Sequence, residues 1–228
     1  MLVIKSPGAR KALKILLPAF AIPATVAAGA VLLEEKQYAL ISLAVAVMAT
    51  VLFAAGFEKK QTGTRRLIIC AVMIALSVAG RFIPLFKPVT ALTVITAVYL
   101  GGESGFLVGA MSALISNFYF GQGPWTPFQM LAWGFIGLFA GISGRYLKKS
   151  RISMAAYGLI SGAAYSLVMD IWTVLWYSGS PDIKLYLAAV VTALPHTALY
   201  CVSNVVFLWL FAKPFGEKLE RVKLKYGV

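Results

Sequence analysis

The feature that most constrains this chain is a succession of long apolar runs divided by short polar or turn-forming breaks. Such runs cover 12–33, 38–57, 67–85, 104–121, 126–146, 152–177 and 185–212. Roughly 20 mostly apolar residues in a helix span the hydrocarbon core of a bilayer, so each run has the length of a crossing. A shorter run, 89–100, lies between the turn signals Phe86-Lys87-Pro88 and Gly101-Gly102-Glu103. Twelve helical residues cover only about 18 Å, which marks this piece as a short or partly unwound span. The pattern predicts an all-α, polytopic membrane helix bundle with eight crossings. Composition agrees: 60% of the 228 residues are hydrophobic and 13% charged, against about 45–50% apolar and about 25% charged in soluble domains. That apolar content excludes a disordered chain, and two cysteines exclude a disulfide scaffold.

The charges give the orientation. Lys and Arg number 21 against 8 Asp and Glu, a formal net charge of +13. With the N-terminus inside, four clusters fall on the inner side: Lys5, Arg10, Lys11 and Lys14; Lys59, Lys60, Arg65 and Arg66; Arg145, Lys148, Lys149 and Arg151; and Lys213, Lys218, Arg221, Lys223 and Lys225. Only Lys36, Arg81, Lys87 and Lys184 fall outside. This asymmetry follows the positive-inside rule and places both termini in the cytoplasm. It holds only if the short run crosses, since otherwise the later clusters change sides. The net charge therefore marks topology and not a nucleic-acid-binding surface. The first apolar run is long for a signal peptide and has no clear small-x-small cleavage site. Pro18 and Pro23 are expected to kink its helix. Cys70 and Cys201 read as small apolar side chains. No metal-ligand spacing and no glycine-rich phosphate loop appears, so neither a bound metal, a resident cofactor nor an ATPase is expected.

A few residues carry functional information. Ala71, Ala75 and Ala79 recur every four residues on one helix face, a pattern that lets another helix approach closely in lipid. Spacing alone leaves open whether that neighbour is internal or a partner. Arg81 and Lys87 stand outside against the charge bias, where they suit either an anionic ligand group or lipid headgroups. The stretch Asn117-Phe118-Tyr119-Phe120-Gly121-Gln122-Gly123-Pro124-Trp125-Thr126-Pro127-Phe128-Gln129 is read as an outer loop rich in aromatics and amides. Trp125, Trp133, Trp172 and Trp176 lie near outer span ends and only Trp209 near an inner one. An interfacial belt would populate both sides, so an aromatic outer cavity fits better. Asp170, His196 and Asn204 are polar groups within spans, where desolvation makes a functional role the default and a satisfied interhelical hydrogen bond the alternative. Glu103 is expected to cap a helix beginning at Ser104.

Together these residues resemble the substrate-binding S components of energy-coupling factor (ECF) vitamin transporters. The features carrying the resemblance are the Ala71/Ala75/Ala79 run, Lys87-Pro88-Val89-Thr90-Ala91, Gly101-Gly102-Glu103-Ser104-Gly105-Phe106-Leu107-Val108-Gly109, and the stretch from Ser116 to Pro127 followed by Gln129 and Trp133. That last stretch looks most like the cobalamin-type members. The resemblance implies a six-helix core over 64–215, preceded by an additional transmembrane hairpin over 1–63 and followed by a basic cytoplasmic tail over 216–228. It implies a bacterial cytoplasmic membrane, capture of a vitamin at the outer face, and assembly with a membrane coupling subunit and two cytoplasmic ATPases. It also implies that the Ala71, Ala75, Ala79 face docks on the coupling subunit, and that the protein topples in the membrane to release its substrate inside. The two extra N-terminal spans depart from the family pattern.

The expected function is high-affinity capture of a vitamin, with cobalamin or another corrinoid first and a different vitamin or precursor as the alternative. The vitamin is the transported ligand and not a cofactor. Candidate substrate contacts are Arg81, Lys87, Asn117, Tyr119, Gln122, Trp125, Gln129, Trp133, Asp170, Trp172, Trp176, His196 and Asn204. A proton-coupled carrier built on Asp170 is a further reading, but no internal repeat supports it. An intramembrane serine protease using Gly141-Ile142-Ser143-Gly144 and His196 is excluded by depth. Ser143 lies at the inner end of its span, and His196 about 16 Å from the outer end of its own.

Overall fold

The computed structural model describes residues 4–32, 37–57 and 60–227. Lys36 and Lys59, counted above among the cations, lie outside the described residues. Among the described residues every element is helical: α1 (Pro7–Leu16), α2 (Ile22–Leu32), α3 (Tyr38–Ala55), α4 (Lys60–Gly80), α5 (Val89–Leu100), α6 (Gly102–Phe120), α7 (Trp125–Ile142), α8 (Gly144–Leu147), α9 (Arg151–Ser178) and α10 (Ile183–Tyr226). The all-α bundle expected from the apolar runs is what forms. Six stretches are long and apolar enough to cross a membrane: Pro7–Val31, Tyr38–Ala55, Thr62–Gly80, Trp125–Ile142, Arg151–Ser178 and Ile183–Tyr226. Their outward faces carry exposed Leu43, Val47, Ile68, Val72, Ile160 and Leu194, as a multi-pass membrane protein requires.

Two further helices, the short α5 and the longer α6, form the centre. In α5 every residue but Tyr99 is buried. A helix of about 18 Å cannot itself cross the roughly 30 Å hydrocarbon core. It is tolerated because protein and not lipid surrounds it. Its two ends are set by Pro88 and by Gly101, whose φ of 101° reverses the chain into α6. Helix α6 is rich in Gly and Ser because it too is interior. A Cβ on Gly105 would come within 2.9 Å of the Gly137 carbonyl oxygen, and one on Gly141 within 2.2 Å of Gly102. Helices α6 and α7 thus pack backbone against backbone, as small residues allow.

Local chemistry explains the helix ends and irregularities. Ser6 caps α1 by accepting from the Ala9 amide, with Pro7 at the first position. Pro18 lies in a π-helical turn, Leu17–Ala21, that joins α1 to α2. Proline cannot donate to the residue four back, and the wider turn absorbs that loss. Helix α6 begins at Gly102, before the expected Ser104. Glu103 therefore occupies its first turn, and its carboxylate pairs with Lys14 at 2.7 Å.

That ion pair fastens the N-terminal hairpin to the core at the basic end of the bundle. Helix α3 packs on α6 and α7, and α2 on α7 and α9. Helix α10 runs unbroken through Pro195 and Pro214 to Tyr226, so residues 216–226 prolong a helix of about 66 Å instead of forming a separate tail. Contacts at the basic end hold this extension: Lys148 pairs with Glu220 at 3.0 Å, and Arg65 donates to the Tyr226 carbonyl.

Candidate functional site

The shortness of α5 creates the site. Thr90 stands one residue into α5 yet meets Trp133, which lies eight residues into α7, about 12 Å below Trp125. The start of α5 therefore lies deeper than the outer end of α7, a recess in the level of the helix ends beside which the connection 81–88 passes. Phe82 of this connection packs on Tyr119 and Phe120 at the end of α6, with ring centroids 4.5 and 5.0 Å apart. The Lys87 amide donates to the Ser203 hydroxyl of α10 at 3.1 Å.

A continuous polar network lies beneath. Arg81 Nη1 donates to Asn117 Oδ1 at 2.8 Å and to the Ser116 hydroxyl. Asn117 Nδ2 donates to Thr126 Oγ1 at 2.9 Å and to Gln129 Oε1 at 2.8 Å. Gln129 Nε2 donates in turn to the Tyr165 hydroxyl at 3.0 Å. A second group closes the floor: Trp133 Nε1 donates to Thr90 Oγ1 at 3.1 Å and to the Tyr200 hydroxyl at 2.7 Å, and those two hydroxyls lie 2.7 Å apart. Aromatic faces join the two groups. Trp133 and Tyr165 stack at 4.8 Å, and Tyr165 meets Tyr200 at 5.0 Å. The Arg81 guanidinium lies 4.7 Å from the Phe120 centroid and 5.5 Å from that of Trp133. A planar cation is thus held over aromatic rings.

The sequence-derived candidates divide into three groups. Arg81, Lys87, Asn117, Gln129 and Trp133 converge on the recess. Asn117 and Gln129 do so because the expected loop is only the four residues 121–124, which leaves both side chains on facing helices. Gln122 serves the loop itself, donating to the Leu114 carbonyl at 2.9 Å and accepting from Thr126. Tyr119 is exposed and stacks on Phe82. His196 lies one turn from Tyr200 on α10, with rings 6.4 Å apart, and is exposed at the rim.

The other five stand apart. Trp125 packs edge-on against Trp172 at 5.8 Å, and Trp172 stacks on Trp176 at 5.9 Å. Trp172 and Trp176 line a separate cleft of about 200 Å³ against the N-terminal hairpin, with Val26, Gly29, Ile41 and Phe128. Their helical phase carries them towards α2 and away from the network. Asp170 and Asn204 lie in the seam between α9 and α10. Asn204 Nδ2 donates to the Gly158 carbonyl at 3.3 Å. Asp170 is buried one turn from the Ser166–Thr197 hydrogen bond.

Tyr165 and Tyr200, central in the structure, are not singled out by the sequence. Their signal is weak: a buried phenol in an apolar helix needs a hydrogen-bond partner, but the partner comes from another helix. Thr90, Ser116, Phe120 and Thr126 lie inside the motifs quoted above without an assigned role there.

Ala71, Ala75 and Ala79 are exposed on α4. Helix α4 packs on α5 and α6 through its other side, while the N-terminal hairpin sits on α6 and α7. Beside Ala79 runs an apolar groove of about 350 Å³ lined by Leu76, Ile83, Phe207 and Phe211.

The family model for the S component of the ECF-type riboflavin transporter matches residues 61–221, from α4 through most of α10. The chain belongs to this family. It is the substrate-binding membrane subunit of an ECF vitamin transporter, and not an enzyme. No curated protein and no solved structure matches it. Helices α1 to α3 of this S component lie outside the matched region.

Proposed function

We propose that this S component captures riboflavin at the outer face of the cytoplasmic membrane and delivers it to a coupling subunit and two ATPases for import. The observation that carries the reading is the recess, where the amides of Asn117 and Gln129 lie beside the rings of Trp133, Tyr165 and Tyr200. The isoalloxazine ring of riboflavin is flat, with apolar faces and an imide edge that presents one N–H between two carbonyls. Stacking rings suit its faces, and amide side chains, which both donate and accept, suit its edge. The guanidinium of Arg81 lies over Phe120 and Trp133 as a flat ligand would. The family match supports the same vitamin. A corrinoid, the first expectation from sequence, is far larger than the flat ring that these paired amides and aromatic faces suit. The charge asymmetry supports placing the recess outside and both termini in the cytoplasm. The exposed Ala71, Ala75 and Ala79 face supports docking on the coupling subunit.

The test is direct binding by the purified chain without partners. Riboflavin fluorescence is expected to be quenched at one-to-one stoichiometry, because the ring lies against Trp and Tyr. Absence of riboflavin binding together with tight binding of cobalamin would overturn the reading.

A further inference from the structure

The hydrogen bonds around Asn117 all run one way, and Arg81 sets the direction. A guanidinium has donors and no acceptor. One of its nitrogens, Nη1, makes both bonds, to the Ser116 hydroxyl and to Asn117 Oδ1. The Asn117 amide therefore cannot turn over. Its Nδ2 must face away from Arg81, where it donates to Thr126 and Gln129. Gln129 must then offer its oxygen to Asn117 and its nitrogen to Tyr165. Asn117 and Thr126 are buried, so a reversed amide would set donor against donor out of reach of water, which is strongly unfavourable.

Three branches leave Arg81. The first runs through Ser116 to the Ser112 carbonyl. The second runs from Asn117 through Thr126 and Gln122 to the Leu114 carbonyl. Both end on a backbone acceptor. The third runs from Asn117 through Gln129 to the Tyr165 hydroxyl, which accepts. The proton of that hydroxyl has no acceptor among the described residues. The Trp133 group has the same polarity. Trp133 Nε1, a donor only, reaches both Thr90 Oγ1 and the Tyr200 hydroxyl. One proton lies between those two oxygens, which leaves the other hydroxyl proton unclaimed. The Tyr165 and Tyr200 rings are neighbours at 5.0 Å, so the spare donors belong to one site.

We propose that Arg81 is a positioning residue. By holding Asn117 and Gln129 in one orientation, it makes the Tyr165 hydroxyl a donor to a carbonyl oxygen of a flat, ring-bearing ligand. This rests on the riboflavin reading above. Arg81 acts through the two amides without touching the ligand, and its fixed polarity decides what the site accepts. A ring that presents a carbonyl oxygen to Tyr165 completes the third branch. A ring that presents a weak acceptor there leaves a desolvated donor unpaired. The isoalloxazine ring offers two such oxygens, one on each side of its imide N–H.

The probes are riboflavin and the two analogues in which sulfur, a weak acceptor, replaces one or the other carbonyl oxygen. Each is titrated against the purified full chain and against Tyr165→Phe, Arg81→Lys and Arg81→Gln. The native chain should bind one analogue about tenfold more weakly than riboflavin, the effect of one buried hydrogen bond. Tyr165→Phe keeps the ring and removes the proton, so that ratio should fall to about one. Arg81→Lys keeps a group that only donates, and one nitrogen can serve both oxygens, so its ratio should stay about tenfold. Arg81→Gln can donate or accept; it no longer forbids the reversed amides, and its ratio should drop. All three variants keep the stacking rings and should still bind riboflavin; one that does not would overturn the proposal. Equal binding of all three ligands by the native chain, an unchanged ratio in Tyr165→Phe, or equal ratios in Arg81→Lys and Arg81→Gln would also overturn it. Failure of the native chain to bind riboflavin would instead sink the parent reading.

Discussion

Gly109→Ala adds one methyl group where the structure has no room for it. A Cβ on Gly109 would lie 2.4 Å from the Trp133 carbonyl oxygen, 2.5 Å from its carbon and 2.9 Å from the Gly134 nitrogen. All three are backbone atoms and cannot rotate away. Restoring an ordinary contact of 3.4 Å requires α7 to retreat from α6 by about 1 Å. Overpacking of this kind costs about 1–3 kcal/mol. The same retreat acts on the site, since Asn117 of α6 bonds to Gln129 of α7 at 2.8 Å and Trp133 of α7 bonds to Thr90 at 3.1 Å. An additional 1 Å takes both past hydrogen-bond length, and each is worth about 0.5–1.5 kcal/mol. The sum predicts a lower thermal midpoint and riboflavin affinity weakened at least about tenfold. Thermal unfolding in detergent and flavin titration measure the two effects. Gly8→Ala is the matched control, because its nearest neighbour, Ser6 Oγ, lies 3.9 Å away. Native stability and native affinity in Gly109→Ala would refute the claim that backbone contact between α6 and α7 sets the recess.

Two further outcomes follow from the same structure. Ala75→Leu places a branched side chain on the exposed face of α4 and should abolish co-purification with the coupling subunit while riboflavin binding persists; normal assembly would remove the docking face. Leu85 holds φ of 64° in the 81–88 connection, a conformation that strains a residue with a Cβ by about 1 kcal/mol. Leu85→Gly should therefore raise the thermal midpoint by about 2–4 °C, and a fall would show that the exposed leucine contributes more by packing than it loses in strain.

The candidates show how far sequence reaches. Asn117, Gln129 and Trp133 were legible because they stand close together in one unusual segment, and a four-residue turn brings its two ends face to face. Trp172 and Trp176 were legible as aromatics at outer span ends and were read into the substrate cavity, whereas they line a cleft against the hairpin. A helix's hydrophobic pattern does not say which of several apolar neighbours a given side will meet. The same limit applies to Asp170: its position within a span is written in the sequence, but its place in the seam between α9 and α10, away from the recess, is not. Tyr165 and Tyr200 could be found only through partners on other helices.

By itself, the sequence determined the solvent, the secondary structure and the directional charge bias. These depend on local quantities, namely the length of an apolar run, the position of a proline or glycine, and the clustering of Lys and Arg between spans. Tertiary structure decided which polar tips meet. It turned the short run 89–100 into a recess, set Arg81 over Phe120 and Trp133, and left the alanine face of α4 exposed by packing the extra hairpin on α6 and α7. The physical reason is that a helix buries its backbone polar groups internally, so its existence is a local matter. The partner of each polar side chain depends instead on the phase, depth and neighbour of the helix that carries it.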